Sequence, residues 1–274
     1  MFSIGITTFK RRIKSLEKMV DFFKSCDPEI IINIAVNGEI VDEFDDQYRK
    51  DVLALCLRHK KVYPFFYQEF RSLAKLWNNL IISSKTEFNL ILNDDLVFDY
   101  KQNFVQIVNS IITNNPTINC FTINGSWSHY VMSKKTLDEM NYFDERLLLI
   151  GEEDGDFVWR YIAKYGNYPA SVNLPIVANL HQTGTEDVTQ VAKDTEIGRS
   201  NKPRFNQEFI SNKYKLDPTS KIGGMFGAGY SKIMEDERQY PYESFYMTNK
   251  HNLSKFDKII FSELPEEQTQ VQEP

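Results

Sequence analysis

The sequence predicts an α/β protein, a three-layer α/β/α sandwich built around a mainly parallel mixed sheet. Two observations favour this class. Four β-rich segments alternate with segments of helical periodicity between the N-terminus and residue 92, which is the order expected when helices connect parallel strands. The chain of 274 residues, 42% of them hydrophobic, is also long enough to bury one large core.

The N-terminal part supports this alternation element by element. Residues 2–9 form a β-rich run, and residues 13–23 place apolar side chains at helical spacing. Residues 30–36 predict a second strand, which ends at the turn dipeptide Asn37-Gly38. The next elements are predicted to be a helix over 42–59, a strand over 62–67, a helix over 72–83 and a strand over 88–92.

The second half of the chain alternates less regularly. Its patterns predict a helix over 104–114, a strand over 119–123, and helices over 134–140 and 153–165. The last twelve residues, 263–274, form a polar tail that is predicted to be disordered.

The composition argues against several partners and settings. The net charge is −6 and the 32 basic residues are scattered, so the sequence carries no electrostatic footprint for nucleic acid. Cys26, Cys56 and Cys120 lie far apart without a CxxC pair, which fits neither a zinc knuckle nor a disulfide framework and indicates a reducing compartment. Because the sequence shows no signal peptide and no apolar run of roughly 18 residues, we expect a cytoplasmic protein without a transmembrane segment.

A first acidic motif, Asn93-Asp94-Asp95, follows the fourth predicted strand directly. Ligands of open α/β sheets bind outside the carboxyl ends of the strands, so these side chains are expected to border a binding crevice. Carboxylate oxygens suit Mg²⁺ or Mn²⁺, which take one or two protein carboxylates together with substrate phosphates and stabilise a departing diphosphate. The alternative interpretation is a polar turn or cap at the end of a strand.

A second acidic cluster, residues 151–156 with the sequence GEEDGD, opens the predicted helix over 153–165. Acidic side chains in a first helical turn are stabilised by the helix dipole, so N-capping is one interpretation. Four carboxylates within five residues exceed what capping needs, however. Crowded carboxylates raise one another's pKa, which favours the alternative that one of them is a general base near neutral pH.

A single histidine, His181, ends another apolar stretch. A lone histidine is more often structural than a ligand. The two acidic clusters change this balance, because imidazole commonly joins carboxylates on a transition metal such as Mn²⁺. His181 is therefore a candidate metal ligand.

In their order along the chain, these features resemble the GT-A glycosyltransferases, in particular the bacterial family 2 type. The first strand and its turn, SIGITTFKRR, are similar to the start of that family, residues 71–78 resemble its segment before the DXD strand, and Asn93-Asp94-Asp95 matches the DXD position. The most specific match is to the family's FDE…EDxD…R block, at residues 141–145, 153–156 and 159–160. The resemblance implies the Rossmann-like GT-A fold.

The resemblance also implies the residues of the site. Those around the donor nucleotide and its sugar are Thr7, Thr8, Phe9, Arg11, Asn37, Ser72, Lys75, Asn78, Asn93 and Asp94, with Asn37 standing where the family usually has an acidic residue. Asp95 and His181 are implied to hold Mn²⁺ or Mg²⁺. Asp154 is implied to be the catalytic base of an inverting displacement, and Glu153 to bind the acceptor or the transferred sugar. For Trp127 and Tyr130, stacking on an acceptor sugar and core packing are equally good interpretations.

The implied activity is a metal-dependent, inverting transfer of a sugar from a nucleotide-diphosphate donor, preferably a UDP-sugar, to a hydroxyl of a glycan or lipid-linked sugar, in polysaccharide biosynthesis. A lipid-linked acceptor would bring the protein into peripheral contact with the inner face of the membrane. The implied organisation is a catalytic domain over 1–210, with a donor-binding half over 1–98 and an acceptor half over 99–210, followed by a C-terminal extension of loops and helix over 211–262.

Two alternatives stay open at this level. A nucleotidyltransferase on a related sheet would also use metal-bound carboxylates, but it usually carries an N-terminal glycine-rich phosphate loop, and residues 7–12 contain no glycine. A non-catalytic carbohydrate-binding relative would keep the fold without turnover. Retention of both acidic clusters and of His181 argues against that relative.

Overall fold

The computed structural model describes two compact units of the chain. The first draws on Met1–Phe70, Leu76–Asp138 and Pro169–Ala192, and the second on Arg71–Lys75, Glu139–Tyr168 and Lys193–Pro274. Within these limits the described residues are 1–9, 12–38, 46–68, 71–147, 150–175, 177–179, 206, 210 and 213. The predicted domain limits at residues 98, 210 and 262 stay predictions.

The strands all belong to the first unit. They are β1 (Phe2–Thr8), β2 (Ile32–Val36), β3 (Val62–Phe66), β4 (Phe88–Asn93), β5 (Leu96–Phe98), β6 (Cys120–Ile123), β7 (Ser126–Ser133), β8 (Ala170–Val172) and β9 (Val177–Asn179). Seven of them form one sheet in the order β3-β2-β1-β4-β7-β6-β8, and β5 pairs with β9 in a small second sheet.

The large sheet is mixed and mainly parallel, as the sequence predicts. The neighbours from β3 through β2 and β1 to β4 run parallel, as do β6 and β8, whereas β7 is antiparallel to both β4 and β6. All seven residues of β1 and all five of β2 are buried. This is the pattern of central parallel strands covered on both faces, and it includes polar residues, since Ser3, Thr7 and Thr8 of β1 and Asn33 of β2 are buried as well.

The described helices lie where the periodicity predicts them. They are α1 (Ile13–Cys26), α2 (Asp46–Arg58), α3 (Leu73–Ser83), α4 (Phe104–Asn114), α5 (Lys134–Glu139) and α6 (Glu153–Tyr165). The start predicted for α2 at residue 42 falls outside the described residues. None of the described helices is both long and apolar enough to cross a lipid bilayer.

The strand β7 is the main element that the sequence pattern does not predict. It lies between β4 and β6 in the interior of the sheet, and its last five residues are all buried. A strand buried on both faces shows no polar alternation, and its sequence, SWSHYVMS, mixes serine and histidine with large apolar residues. The ladder with β4 and β6, rather than its own pattern, makes this segment a strand.

An aromatic cluster holds the segment that follows the Asn93-Asp94-Asp95 motif. The ring of Phe98 in β5 stacks on Phe22 with centroids 4.8 Å apart, and it meets Phe23 and Phe104 edge-on at 4.9 and 5.2 Å. Such aromatic pairs contribute packing beyond the area they bury. Because α1, α4 and β5 are joined here, the chain just beyond Asp95 is anchored to the core.

The centre of the sheet packs closely against α3 at Gly5 of β1. A Cβ built on Gly5 would lie 3.1 Å from Leu80 Cβ and 2.8 Å from Ile91 Cδ1. The Ile91 methyl is the end of a flexible side chain, but Leu80 Cβ moves only with its helix. A side chain at Gly5 therefore forces α3 away from β1.

We expect Gly5→Ala to lower the free energy of unfolding by about 1–3 kcal/mol, the usual cost of overpacking a core. Gly5→Val should lower it further. Strand propensity alone predicts the opposite order, because valine favours strands over alanine and glycine. Urea denaturation of the three proteins decides between these orders, and a valine variant more stable than the alanine variant would contradict the packing account.

The strand order creates a switch point between β1 and β4. From β1 the chain continues to β2 and β3 on one side, and it returns to place β4 on the other side of β1. In open α/β sheets, such a switch point is where ligands bind, outside the carboxyl ends of the strands. The parallel register pairs Thr7 with Asn93 at this edge.

The described part of the second unit is built around α6. Phe157 of this helix stacks on Phe143, with ring centroids 4.6 Å apart. Met140, Leu147 and Val158 are buried as well. The same part of the chain also buries the charged side chains of Asp144, Arg146, Asp156, Arg160 and Lys213.

Candidate active site

The carboxyl ends of β1 and β4 carry polar side chains that bond directly to one another. Thr7 Oγ1 donates to Asn93 Oδ1 at 3.0 Å, and Thr8 Oγ1 donates to Asp94 Oδ2 at 2.7 Å. The hydroxyl of Tyr48 in α2 shares a further hydrogen bond with the Thr8 hydroxyl. The switch point thus brings together four of the residues predicted to contact the donor.

Asp94 is occupied by contacts within the protein. Its carboxylate accepts hydrogen bonds from Thr8, from the backbone N–H of Phe9 at 3.3 Å and from Arg12 Nη1 at 3.2 Å. Burial raises the pKa of Asp94 to about 6, against the opposing charge of Arg12. The bonds to the loop after β1 indicate that Asp94 holds that loop in place, whereas its predicted contact with a donor stays a prediction.

Asp95 differs from Asp94 because one of its carboxylate oxygens has no hydrogen-bond partner among the described residues. Its Oδ2 lies 3.6 Å from Arg12 Nη1, while its Oδ1 is buried and has no hydrogen-bond partner among the described residues. A buried carboxylate oxygen without a partner is costly unless a ligand satisfies it, and a cation is the natural choice. The donor chemistry at Asp95 therefore fits one ligand position of Mn²⁺ or Mg²⁺.

The other residues predicted around the donor lie in both units. In the first unit, Asn37 N donates to the Thr8 carbonyl at 3.0 Å, and Asn78 in α3 is fully buried. In the second unit, Ser72 and Lys75 are buried. Arg11 and His181 lie outside the described residues. The nucleotide and metal roles of these residues stay predictions.

His129 in β7 is a candidate site residue that the sequence pattern does not single out. It pairs with Leu92 across the β4–β7 ladder and is 3% exposed. Its Nδ1 lies 2.8 Å from Ser128 Oγ, and its Nε2 is buried without a hydrogen-bond partner in the described part of the chain. Burial lowers the pKa of His129 to about 4, and the charge of Asp95 opposes this shift, so the ring is neutral at pH 7.

Trp127 and Tyr130 of the same strand are core residues. Trp127 is 6% exposed and Tyr130 is fully buried. The Tyr130 ring packs against Trp127 at 4.9 Å and edge-on against Trp77 of α3 at 5.2 Å. Of the two interpretations of these aromatic residues, core packing is therefore the one that the structure supports.

The second acidic cluster lies at the N-terminus of α6, after a tight turn. Gly151 and Glu152 adopt positive φ angles of 122° and 74°, and Glu152, the N-cap residue, makes no side-chain cap hydrogen bond. The turn is held instead by Glu153, whose Oε2 accepts from Gly151 N at 2.5 Å, and by Asn206, whose Nδ2 donates to the Gly151 carbonyl at 2.8 Å. Capping of the helix by its N-cap side chain does not account for this cluster.

The raised pKa predicted for a crowded carboxylate is found at Glu153. Burial, followed by the charge of Asp154, raises the pKa of Glu153 to about 8. Asp154 is partly exposed, and its Oδ1 accepts from Gly155 N at 3.2 Å. The buried Glu153 is therefore a neutral acid over much of the physiological range, whereas the partly exposed Asp154 and Glu152 are reached by solvent.

The shifted pKa of Glu153 predicts a pH dependence of stability. A carboxyl group whose pKa is raised by folding makes the folded protein less stable as the pH rises from the ordinary pKa of glutamate, 4.5, to the raised pKa of about 8. Glu153→Gln keeps an acceptor for Gly151 N and removes the titration, so its free energy of unfolding should fall less than that of the wild type over this range. Urea denaturation at about pH 5 and about pH 8.5 measures this, and an equal pH dependence in the two proteins would contradict the assignment.

A network of buried ion pairs lies within the second unit. Arg146 Nε and Nη2 donate to the two oxygens of Asp144 at 2.8 and 2.6 Å, and Arg160 Nε donates to Asp156 Oδ2 at 2.9 Å. Lys213 Nζ donates to Asp144 Oδ2 at 3.1 Å and also to Asp156. The side chains of Asp144, Asp156 and Lys213 are all fully buried. This network explains much of the FDE…EDxD…R block as a structural feature.

The charge states within the network follow from these contacts. Burial raises the pKa of Asp144, but the charges of Lys213 and Arg146 outweigh it, so the pKa of this carboxyl lies below its ordinary value. Burial lowers the pKa of Lys213 against the charge of Asp156. Because Lys213 Nζ donates to both carboxylates, we assign it the ammonium form. Among the described residues, the two carboxylates and three cations of this network together carry one net positive charge.

Comparisons with known proteins bear on the fold. No protein-family model and no curated protein matches the sequence. Among solved structures, the chain aligns with the mannosyltransferase PcManGT from Pyrobaculum calidifontis at a TM-score of 0.50 and 11% identity, covering 64% of this chain and 54% of that one. It aligns with S. aureus TarS 1-349 at a TM-score of 0.50 and 13% identity, covering 99% of this chain and 92% of that one. The fold is the GT-A fold of glycosyltransferases.

A second TarS structure from S. aureus aligns in the same way, with a TM-score of 0.51 at 12% identity over 94% of this chain and 55% of that one. The chain thus spans about half of the mannosyltransferase, at 54%, and nearly all of TarS 1-349. At these identities the likeness concerns the GT-A fold. The chemistry has to be argued from the residues of the site.

Three side chains at the mouth of the GT-A sheet were not among the predicted site residues. Arg12 contacts both aspartates of the motif, Tyr48 supports Thr8, and His129 stands opposite Leu92, the residue before Asn93. Arg12 follows Arg11 in the turn after β1. The sequence therefore indicated an arginine at this turn but not which of the two contacts the aspartates. Tyr48 and His129 carry no motif, and only the tertiary structure brings them to the site.

Proposed function

We propose that this chain is a metal-dependent glycosyltransferase that transfers a sugar from a nucleotide-diphosphate donor to a hydroxyl of a glycan or a lipid-linked sugar. The observation that carries the proposal is Asp95. At the switch point of a GT-A sheet, it keeps one buried carboxylate oxygen that has no hydrogen-bond partner among the described residues. The GT-A fold and an acidic ligand position at the carboxyl ends of its strands are both what a metal-bound nucleotide sugar requires.

The proposed metal is Mn²⁺ or Mg²⁺, with Asp95 as a protein ligand. Such a cation would supply positive charge for the departing diphosphate. Hard cations often take only one or two protein carboxylates and complete their shell with phosphate oxygens and water. A small ligand set therefore agrees with the finding that the described residues include no group of three or more acidic, histidine or cysteine side chains arranged for a metal. The mannosyltransferase of similar fold was solved with GDP-Man and Mn²⁺.

The proposed donor site continues along the carboxyl ends of β1 and β2. Thr7 and Thr8 already hold the two strands of the switch point together, and Asn37 follows β2 beside them. These positions, with Phe9 and Arg11, are proposed to surround the base and ribose. Arg12 is proposed to turn from the aspartates towards the diphosphate, because a guanidinium group binds phosphate oxygens well. A UDP-sugar is the preferred donor.

Asp154 is proposed to be the catalytic base of an inverting reaction. It would accept the proton of the acceptor hydroxyl, whose oxygen attacks the anomeric carbon opposite the leaving diphosphate. Its partial exposure supports this role, since the neighbouring Glu153 is buried and has a raised pKa. Glu153 is proposed to bind the acceptor or the transferred sugar.

A screen of nucleotide sugars tests the donor proposal. Thermal shifts and nucleotide release are measured with UDP-, GDP-, CDP- and dTDP-sugars, each with and without Mn²⁺. We expect stabilisation by one nucleotide class that depends on Mn²⁺, since a ligand that binds only the folded state raises stability. A shift that does not need the metal would contradict the metal site. The absence of any shift or turnover would favour the non-catalytic alternative.

The base assignment has a separate test. Asp154→Asn should abolish transfer while keeping the metal-dependent thermal shift with the donor, because the residues proposed to contact the nucleotide do not include Asp154. Product stereochemistry, read by NMR at the anomeric carbon, distinguishes inversion from retention. If Asp154→Asn keeps most of its transfer activity, Asp154 is not the base.

A further inference from the structure

Two buried atoms at the mouth of the sheet lack hydrogen-bond partners among the described residues. They are Oδ1 of Asp95 and Nε2 of His129. Both residues lie near the end of the β4–β7 ladder: His129 stands opposite Leu92 of β4, and Asp95 comes three residues after Leu92. The two atoms thus belong to one small region.

One arrangement of the hydrogen bonds in β7 satisfies both serine hydroxyls and places the proton of His129 on Nδ1. Ser126 Oγ accepts from Ser128 N at 3.2 Å and lies 2.7 Å from Ser128 Oγ. If the Ser128 hydroxyl donates to Ser126, its oxygen is left to accept from His129 Nδ1–H at 2.8 Å. Nε2 then presents a lone pair. Two lone pairs, on Nε2 and on the Asp95 carboxylate, cannot satisfy each other.

We infer that His129 is a second protein ligand, through Nε2, of the divalent cation that Asp95 holds. The inference rests on the proposed metal dependence and names a ligand for it. A cation satisfies both buried acceptors at once and also neutralises the charge of the carboxylate, which a bridging water does not do. The bond from Nδ1–H to Ser128 fixes the ring and leaves Nε2 free, which is the usual arrangement of a metal-binding histidine. A carboxylate with an imidazole also favours Mn²⁺ over Mg²⁺.

The ligand set is tested by electron spin-echo envelope modulation of Mn²⁺ bound to the full chain, with GDP and separately with UDP present. This measurement detects a nitrogen nucleus coordinated to Mn²⁺ without any need for turnover. The wild type should show modulation from imidazole nitrogen. In His129→Gln, that modulation should disappear or fall by one coupled nitrogen, and the Kd for Mn²⁺ should rise at least about 10-fold.

Two further variants separate ligation from a structural role. Ser128→Ala keeps the imidazole and removes the hydroxyl beside Nδ1, so it should keep the nitrogen modulation while weakening Mn²⁺ binding by about 10-fold. His59→Gln is the control, because His59 pairs with Asp21 at the end of α2 and should leave both readouts unchanged. If His129→Gln folds poorly, the Ser128→Ala result still decides, since unchanged Mn²⁺ affinity there contradicts the inference.

The outcomes distinguish the inference from the proposed function. Mn²⁺ that binds the wild type without any nitrogen modulation, or with modulation that His129→Gln leaves unchanged, overturns the role of His129 and leaves metal dependence intact. Loss of all nitrogen modulation in His181→Gln, with His129 present, overturns it as well. A wild-type protein that binds no Mn²⁺ with either nucleotide overturns both proposals.

Discussion

Asp95→Asn is expected to reduce sugar transfer by about 100- to 1,000-fold, the usual cost of removing one group that stabilises charge in a transition state. The substitution keeps the size of the side chain and removes the charge that a cation needs. It should also abolish the Mn²⁺-dependent thermal shift with the donor. The free energy of unfolding should change by less than about 1 kcal/mol, because the contact with Arg12 at 3.6 Å is a partly exposed ion pair.

Asp99→Asn is the matched control for this prediction. Asp99 follows β5, is exposed, and accepts a hydrogen bond from Lys101 N that asparagine is able to keep. Its transfer rate should equal that of the wild type. If Asp95→Asn retains transfer within a few-fold of the wild type and still responds to Mn²⁺, Asp95 is not a metal ligand and the central residue of the proposed site is wrong.

Asp144→Ala is expected to cause the largest loss of stability, about 3–5 kcal/mol, as when one partner of a buried ion pair is removed. Asp144 is fully buried and accepts from Arg146 and Lys213. Without it, Arg146 loses the carboxylate to which two of its nitrogens donate and Lys213 keeps only Asp156, and the net charge of the described side chains of the network rises from one to two. Urea denaturation with a constant m-value measures the loss.

Lys213→Met is the comparison that tests the charge balance of the network. It removes one cation and leaves each aspartate with its own arginine, Arg146 for Asp144 and Arg160 for Asp156. Methionine also fills most of the volume of the lysine stem. The loss of stability should therefore be well below that of Asp144→Ala. An equal or larger loss in Lys213→Met would contradict the proposed charge balance.

The α/β fold could be predicted from the sequence because its first four strands are locally well marked. Each apolar run of the parallel sheet ends at turn or capping residues, and each helix has its own apolar period, as in α1 and α6. The position of Asn93-Asp94-Asp95 at a strand end follows from the same local pattern. These features depend on short-range order, which a sequence displays directly.

The inner strand β7 and the small strands β5 and β9 could not be predicted in this way. Strand β7 is covered on both faces and carries serine and histidine among apolar residues, so its period is hidden. Strands β5 and β9 have only three residues each, too few to show a period. Pairing with strands distant in the sequence makes these segments strands.

The acidic cluster at α6 was also predicted in part from the sequence and decided in part by the tertiary structure. Its crowding predicted a carboxyl with a raised pKa, and such a group is present. Which carboxyl carries the shift depends on burial, which places it on Glu153 and leaves Asp154 partly exposed. Asp144 and Asp156, from the same motif, are taken up by ion pairs with Lys213 and two arginines.

The sequence by itself determined the fold class, the order of the first four strands and the two acidic motifs, because periodicity and turn residues are encoded locally. The tertiary structure decided which residues of each motif are engaged in contacts within the protein and which remain available to a ligand. Parallel pairing of β1 with β4 places Asp94 in hydrogen bonds with Thr8 and Arg12, whereas one oxygen of Asp95 has no hydrogen-bond partner among the described residues. The antiparallel pairing of β4 with β7 places His129 opposite Leu92. Burial and hydrogen bonding between distant residues set these roles, and neither property is visible along a chain.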